Sequence, residues 1–216
     1  MLQSKPIFAV LLAVSFLFGE AHGLPGTFFL RGKAIGYASV SAELGERINR
    51  EGNRLLLERS PQDATLGPGF YLLNDLNRLP HVDGNWYCAV RASRRRLKKI
   101  NKVYIPESWT NPQTNMLARL WGQGERTIMD YIVKMGLVKE PAEALRFSWV
   151  QGMSRQMQML IPSSVFVHDN SLDLRAKCDV EREFVKGYGG KPVNWQDEDY
   201  YDIKGDSGTE PAQRNQ

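Results

Sequence analysis

Residues 66–73 read Leu-Gly-Pro-Gly-Phe-Tyr-Leu-Leu, a Gly67-Pro68-Gly69 turn running into an apolar, aromatic segment. Proline presets φ at about −65° and glycine accepts the angles a tight turn demands, so Phe70–Leu73 reads as a strand leaving a rigid corner. Successive side chains of a strand point to opposite faces, which sends Phe70 and Tyr71 to different sides, one to a core and one to a cleft. A cleft-facing Tyr71 offers a ring for stacking on a planar heteroaromatic group. A tight turn ahead of a core strand accounts for the glycines equally well.

Outward from this strand the pattern alternates. Thr27–Leu30 reads as a short strand, and Val40, Leu44 and Ile48, four apart, predict a helix continuing toward Leu57. Asn74 or Asp75 is placed to cap a helix, located at Asn85–Ser93. Lys102–Ile105 reads as a strand ended by Pro106. Met116, Leu117, Leu120 and Trp121, then Ile128, Tyr131, Ile132 and Met135, predict a mostly helical stretch ending at Gly136. Phe147–Val150, Met157–Ile161 and Leu172–Lys177 read as closing strands. The class is α+β, one domain over residues 24–188.

The N-terminus carries a different signal. Lys5 precedes an apolar run from Ile7 to Phe18, and Ala21 and Gly23 supply small residues at cleavage spacing. Residues 1–23 therefore read as a secretory signal peptide, with the run well short of the roughly 20 residues a membrane span needs. Export predicts a secreted, extracellular, monomeric protein in an oxidising compartment. There Cys88 and Cys178, the chain's 2 cysteines, pair as a disulfide. Two cysteines and 3 histidines, one of them inside the signal, do not supply a standard structural zinc site, so no metal is expected.

The 216 residues hold 28 Lys+Arg against 24 Asp+Glu, a net charge of +4, spread unevenly. Residues 189–216 concentrate Asp197, Glu198, Asp199, Asp202, Asp206 and Glu210 among few aliphatic residues and read as an acidic, disordered tail. Arg91, Arg94, Arg95, Arg96, Lys98, Lys99 and Lys102 form the opposite extreme. Such a run is either a solvated face or a surface for an anionic partner: nucleic acid, anionic lipid headgroups or an acidic host protein. No aromatic ladder or DNA-reading motif accompanies it, which argues against sequence-specific nucleic-acid recognition.

Two further segments complete a pattern. Arg31-Gly32 places a planar guanidinium fork at the end of an apolar strand, and Gln156-Met157-Gln158-Met159-Leu160-Ile161-Pro162 puts Gln156 and Gln158 at i and i+2 on one face. With the Gly67-Pro68-Gly69-Phe70-Tyr71 strand between them, in this order, the three segments resemble the ADP-ribosyltransferase fold over residues 28–165. The resemblance implies a split β-sandwich with flanking helices, with NAD as substrate. It implies Arg31 and Gly32 at the nucleotide, Gly69 and Tyr71 at the nicotinamide, and Gln156 and Gln158 where the family carries its two strand glutamates. It also implies a secreted effector of the kind found among fungi associated with plants and animals, delivered to a host component.

The departure from that pattern is chemical. Breaking the glycosidic bond of NAD develops positive charge that the family's glutamate stabilises, and Gln158 keeps the shape without the charge. One preorganised electrostatic group of this kind is worth about 10²–10³ in rate. The expectation is an effector on a degenerate transferase scaffold, acting by binding; the alternative is an active NAD-dependent ADP-ribosyltransferase or NAD glycohydrolase.

Overall fold

The structure, a computed structural model, describes residues 32–58, 60, 64–167, 172–197 and 200–210. The expected signal peptide over residues 1–23, the strand expected at Thr27–Leu30 and Arg31 lie outside the described residues.

Among the described residues, nine strands and five α-helices follow one another as β1 (Lys33–Ser41), α1 (Ala42–Arg50), β2 (Gly69–Leu73), β3 (Asn85–Ala92), α2 (Arg94–Lys99), β4 (Lys102–Tyr104), β5 (Ser108–Thr110), β6 (Leu117–Arg119), α3 (Glu125–Lys134), β7 (Leu145–Trp149), β8 (Met157–Pro162), α4 (Ser163–Val167), β9 (Arg175–Asp179) and α5 (Arg182–Gly189). Seven strands form one sheet in the order β4-β7-β8-β2-β1-β3-β9, and β5 and β6 form a separate antiparallel ribbon. Among the described strands of this sheet, β4 and β7 run parallel and the other neighbours antiparallel. The protein is thus an α+β fold with a large sheet and few helices.

Alternation along β7, β8 and β2 separates two cores. Phe147, Met159 and Leu72 face the larger one, which also holds Ile35, Tyr37, Leu44 and Val185. Leu160 and Tyr71, directly opposite each other in the ladder, face the second, with Ile128, Tyr131 and Ile132 of α3 and Trp109 of β5. The sheet is buried on both faces here, so β2 reads as a continuous apolar run, while β7 carries Arg146 and Ser148 as buried polar residues on the face of the second core.

That is why the helix expected at Asn85–Ser93 is a strand. In β3, Tyr87, Cys88, Ala89 and Val90 are all buried because both faces are covered and β1 and β9 flank it; a fully buried strand lacks the period-2 signal that would tell it from a helix. The helical reading of Met116–Trp121 also fails, for a different reason: Leu117–Arg119 is a mostly exposed strand paired with β5, and the helix begins only at Glu125. The helix in Ala42–Arg50 stops before Gly52, well short of Leu57. β1 was not expected, and neither was α5.

Cys88 and Cys178 are bonded, as directly opposite partners of β3 and β9. The bridge closes a separation of 90 residues, worth about 4.5 kcal/mol on the chain-entropy model.

The segment after Gly189 is not a disordered tail where it is described. Val193, Trp195 and Tyr201 are buried, with Trp195 and Tyr201 stacked edge-on to Phe147 at centroid distances of 5.3 and 6.1 Å. The Trp195 indole donates to the Ile35 carbonyl at 2.9 Å, and the Tyr37 hydroxyl reaches the carbonyls of Gly190 and Lys191. Charge counting misreads this stretch because a few large apolar side chains, spaced along an acidic sequence, bury enough area to offset its ordering entropy.

Candidate functional site

The Gly67-Pro68-Gly69 corner is built by close approach. A side chain at Gly67 would meet the carboxylate of Glu125 and the guanidinium of Arg146, and one at Gly69 would meet the carbonyl of Ile161. Ser60 fastens the corner from outside, its hydroxyl accepting from the Gly69 N–H at 2.9 Å and donating to the Gly69 carbonyl at 2.6 Å.

Tyr71 fastens it from inside. Its hydroxyl accepts from the Leu66 N–H at 2.8 Å and donates to the Gly67 carbonyl at 2.9 Å. Burial pushes the phenol up to about 12, against the opposing pull of the Leu66 hydrogen bond and the Arg146 charge. The tyrosine expected to face a cleft has its polar end committed to its own turn.

Below it, Arg146 is fully buried on β7 and forms a two-pronged pair with Glu125 at the start of α3, with Nη1 also donating to the Leu66 carbonyl at 2.8 Å. Neither residue was singled out in the sequence. The available signal was an arginine inside the apolar strand Leu145–Trp149, which in a covered sheet demands a carboxylate.

Gln158 stands opposite Leu73 and Ser148, one step along the same face from Tyr71. Its amide nitrogen donates to the Ser148 hydroxyl at 3.1 Å and the Trp149 carbonyl at 3.4 Å. Gln156 precedes β8, is 3% exposed, and donates to the Asn74 side chain at 2.6 Å and the Met157 carbonyl at 2.8 Å. Tyr71 and Gln158 are therefore brought together. Gly32 and Gly69 are not: Gly32 lies five residues before Tyr37 and Gly69 four before Leu73, and these two strands pair antiparallel at Tyr37–Leu73, so the glycines sit toward opposite ends. Gly32 instead approaches β3, its carbonyl accepting from Arg91 at 3.0 Å.

The basic run divides. Arg94, Arg95, Arg96, Lys98 and Lys99 are exposed on α2 around the buried Leu97. Lys98 lies over the Tyr200 ring at 4.8 Å, and a cleft of about 250 Å³ next to α2 is lined by Arg96, Lys99 and Asn101 together with Glu140 and Glu143. Arg91 is turned away, donating to the Tyr188 and Gly32 carbonyls. Lys102 is no part of the surface: it is 3% exposed and donates to the Ile100 carbonyl at 2.7 Å.

Among the described residues, no group of three His, Cys, Asp or Glu side chains could hold a metal ion, and no helix is long and apolar enough to cross a membrane. No curated protein and no solved structure matches the chain. A family model matches residues 64–206, from the Gly-Pro-Gly corner to the acidic segment, and on that extent the chain belongs to the family of unknown function DUF5910.

Proposed function

We propose that the protein is an exported, disulfide-bonded effector on an ADP-ribosyltransferase-like scaffold, which acts by binding an acidic host component through α2 and does not turn over NAD. The observation that carries this reading is the crowd of exposed cations on one short helix, of which Arg94, Arg95 and Lys99 have no ion-pair partner among the described residues. Like charges held close together repel, and an anionic partner relieves that repulsion. The scaffold reading is supported by the sheet, in which β4-β7-β8-β2 and β1-β3-β9 meet at the single pair Tyr37–Leu73. Absence of turnover is supported by Gln156 and Gln158, whose amides are spent on neighbouring groups and carry no charge to stabilise a developing cation.

The test combines charge and chemistry. The triple variant Arg94→Glu, Arg95→Glu, Lys99→Glu, compared with wild type on a heparin column used as a general polyanion probe, should lose its salt-resistant retention and its biological effect. Unchanged retention and effect would remove α2 from the function. Release of nicotinamide from NAD above the buffer rate, at high protein concentration, would favour the catalytic reading instead.

A further inference from the structure

The molecule holds a second candidate site, lined by none of the residues of α2. A cleft of about 410 Å³ opens between the β5–β6 ribbon, α3 and the segment 206–209. Its walls are the rings of Trp109 and Tyr131, packed edge to face at 5.2 Å, together with Pro106 and Met135; its polar groups include Glu107 and Asp206. That volume is in the range of small-molecule sites, and the mixture of apolar wall and few polar groups is what such sites share.

Two observations go beyond shape. Tyr131 is only 2% exposed, yet its hydroxyl has no hydrogen-bond partner among the described residues, and it lines the cleft. The ring is buried while the hydroxyl keeps access to the cleft, so a group entering the cleft can hydrogen-bond to it. Asp206 is exposed, uses Oδ1 to accept from the Gly208 N–H at 2.9 Å, and forms no ion pair among the described residues. Glu107 adds a second carboxylate, loosely met by Arg119 at 3.7 Å. Asp206 stands close enough that its charge, after burial itself, helps raise the Tyr131 phenol to about 12, so the hydroxyl stays neutral and accepts as well as donates.

From this juxtaposition we infer that the Trp109–Tyr131–Asp206 cleft binds a small organic cation, an amine or guanidinium on a short apolar stem. The stem packs against Trp109 and Met135, the cationic head pairs with Asp206 and donates to the Tyr131 hydroxyl, and the aromatic faces add attraction for the positive charge.

Titration calorimetry of the intact protein with agmatine, beside N-butylurea, which keeps a four-carbon stem but carries no charge, tests the assignment. Agmatine should bind one to one; Asp206→Asn, which keeps an acceptor for Gly208, and Tyr131→Phe, which keeps the ring, should each weaken it by about tenfold or more. N-butylurea should give no binding. Circular dichroism checks that both variants are folded, and Asp206→Asn, at an exposed position, stands alone if Tyr131→Phe unfolds. The assignment is overturned if agmatine gives no heat, if Asp206→Asn binds it as wild type does, or if N-butylurea binds equally well. Because α2 takes no part, the outcome is separable from the polyanion test.

Discussion

Arg146 and Glu125 meet through two hydrogen-bonded contacts, Nη1 to Oε2 and Nη2 to Oε1, both 2.6 Å, with the guanidinium fully buried and the carboxylate side chain 40% exposed. A charge so placed is tolerated only while it is paired. Glu125→Gln should destabilise the fold by about 3 kcal/mol, the lower end for a broken buried pair because water reaches the glutamate side. The double variant Glu125→Leu, Arg146→Met should recover most of that loss. Urea unfolding of the two variants checks both values; equal losses would mean that the pair contributes by shape and not by charge.

Tyr71 satisfies two backbone groups of the corner with one hydroxyl. Tyr71→Phe should therefore cost about 1–3 kcal/mol, the penalty for leaving buried polar groups without partners. Amide hydrogen exchange should localise the loss, with the Leu66 N–H exchanging faster while the β3–β9 ladder keeps its protection.

Trp195 joins the larger core through both its ring and its N–H. Trp195→Ala should cost about 3–5 kcal/mol, as large-to-small changes of buried aromatics do. A change of less than about 1 kcal/mol in chemical denaturation, the usual range for a surface site, would show that the segment adds nothing to stability.

Lys102 makes stability depend on pH in an unusual direction. Burial pushes its ammonium down to about 8, with Asp202 pulling the other way. The unfolded lysine titrates at about 10.4, so between these values the unfolded chain holds a proton the folded chain has lost, and stability rises with pH. Tyr71 and Tyr131, raised to about 12, have the opposite effect above the unfolded tyrosine value of about 10, where the folded chain keeps the proton longer. The urea midpoint should rise from about pH 8 to about pH 10, and Lys102→Met should flatten that rise. The slope is the readout, because the substitution also leaves the Ile100 carbonyl without its donor.

Legibility followed signal type. The strands at Phe70–Leu73, Lys102–Ile105 and Met157–Ile161 were readable because turn residues frame them. The Cys88–Cys178 bond was readable from the presence of two cysteines behind an expected export signal. β3 was not, because burial on both faces erases the alternation that marks a strand. Tyr71 and Gln158 lie on one face of the sheet, yet alternation gives only a side of the sheet and says nothing of which groups there compete for a hydroxyl or an amide. Glu125 and Arg146 lie 21 residues apart, and their meeting depends on how α3 lies across the sheet. Tyr131 and Asp206 are further apart still, on segments that were read as helix and as tail.

Both margins of the sheet are closed by side chains or segments that are not regular strands. On β9, the Asn49 amide donates to the Cys178 carbonyl and accepts from its N–H, as a neighbouring strand would, and residues 53–55 bond the backbone at Leu174 and Ala176. On β4, Lys204 occupies the backbone groups of Lys102 and Tyr104. A polypeptide synthesised N-terminus first therefore carries an open β4 flank, able to pair with another copy, until residues near 204 have emerged. Any chaperone that guards against self-association during synthesis has that late interval to cover, and shortening the chain before 204 would make it permanent.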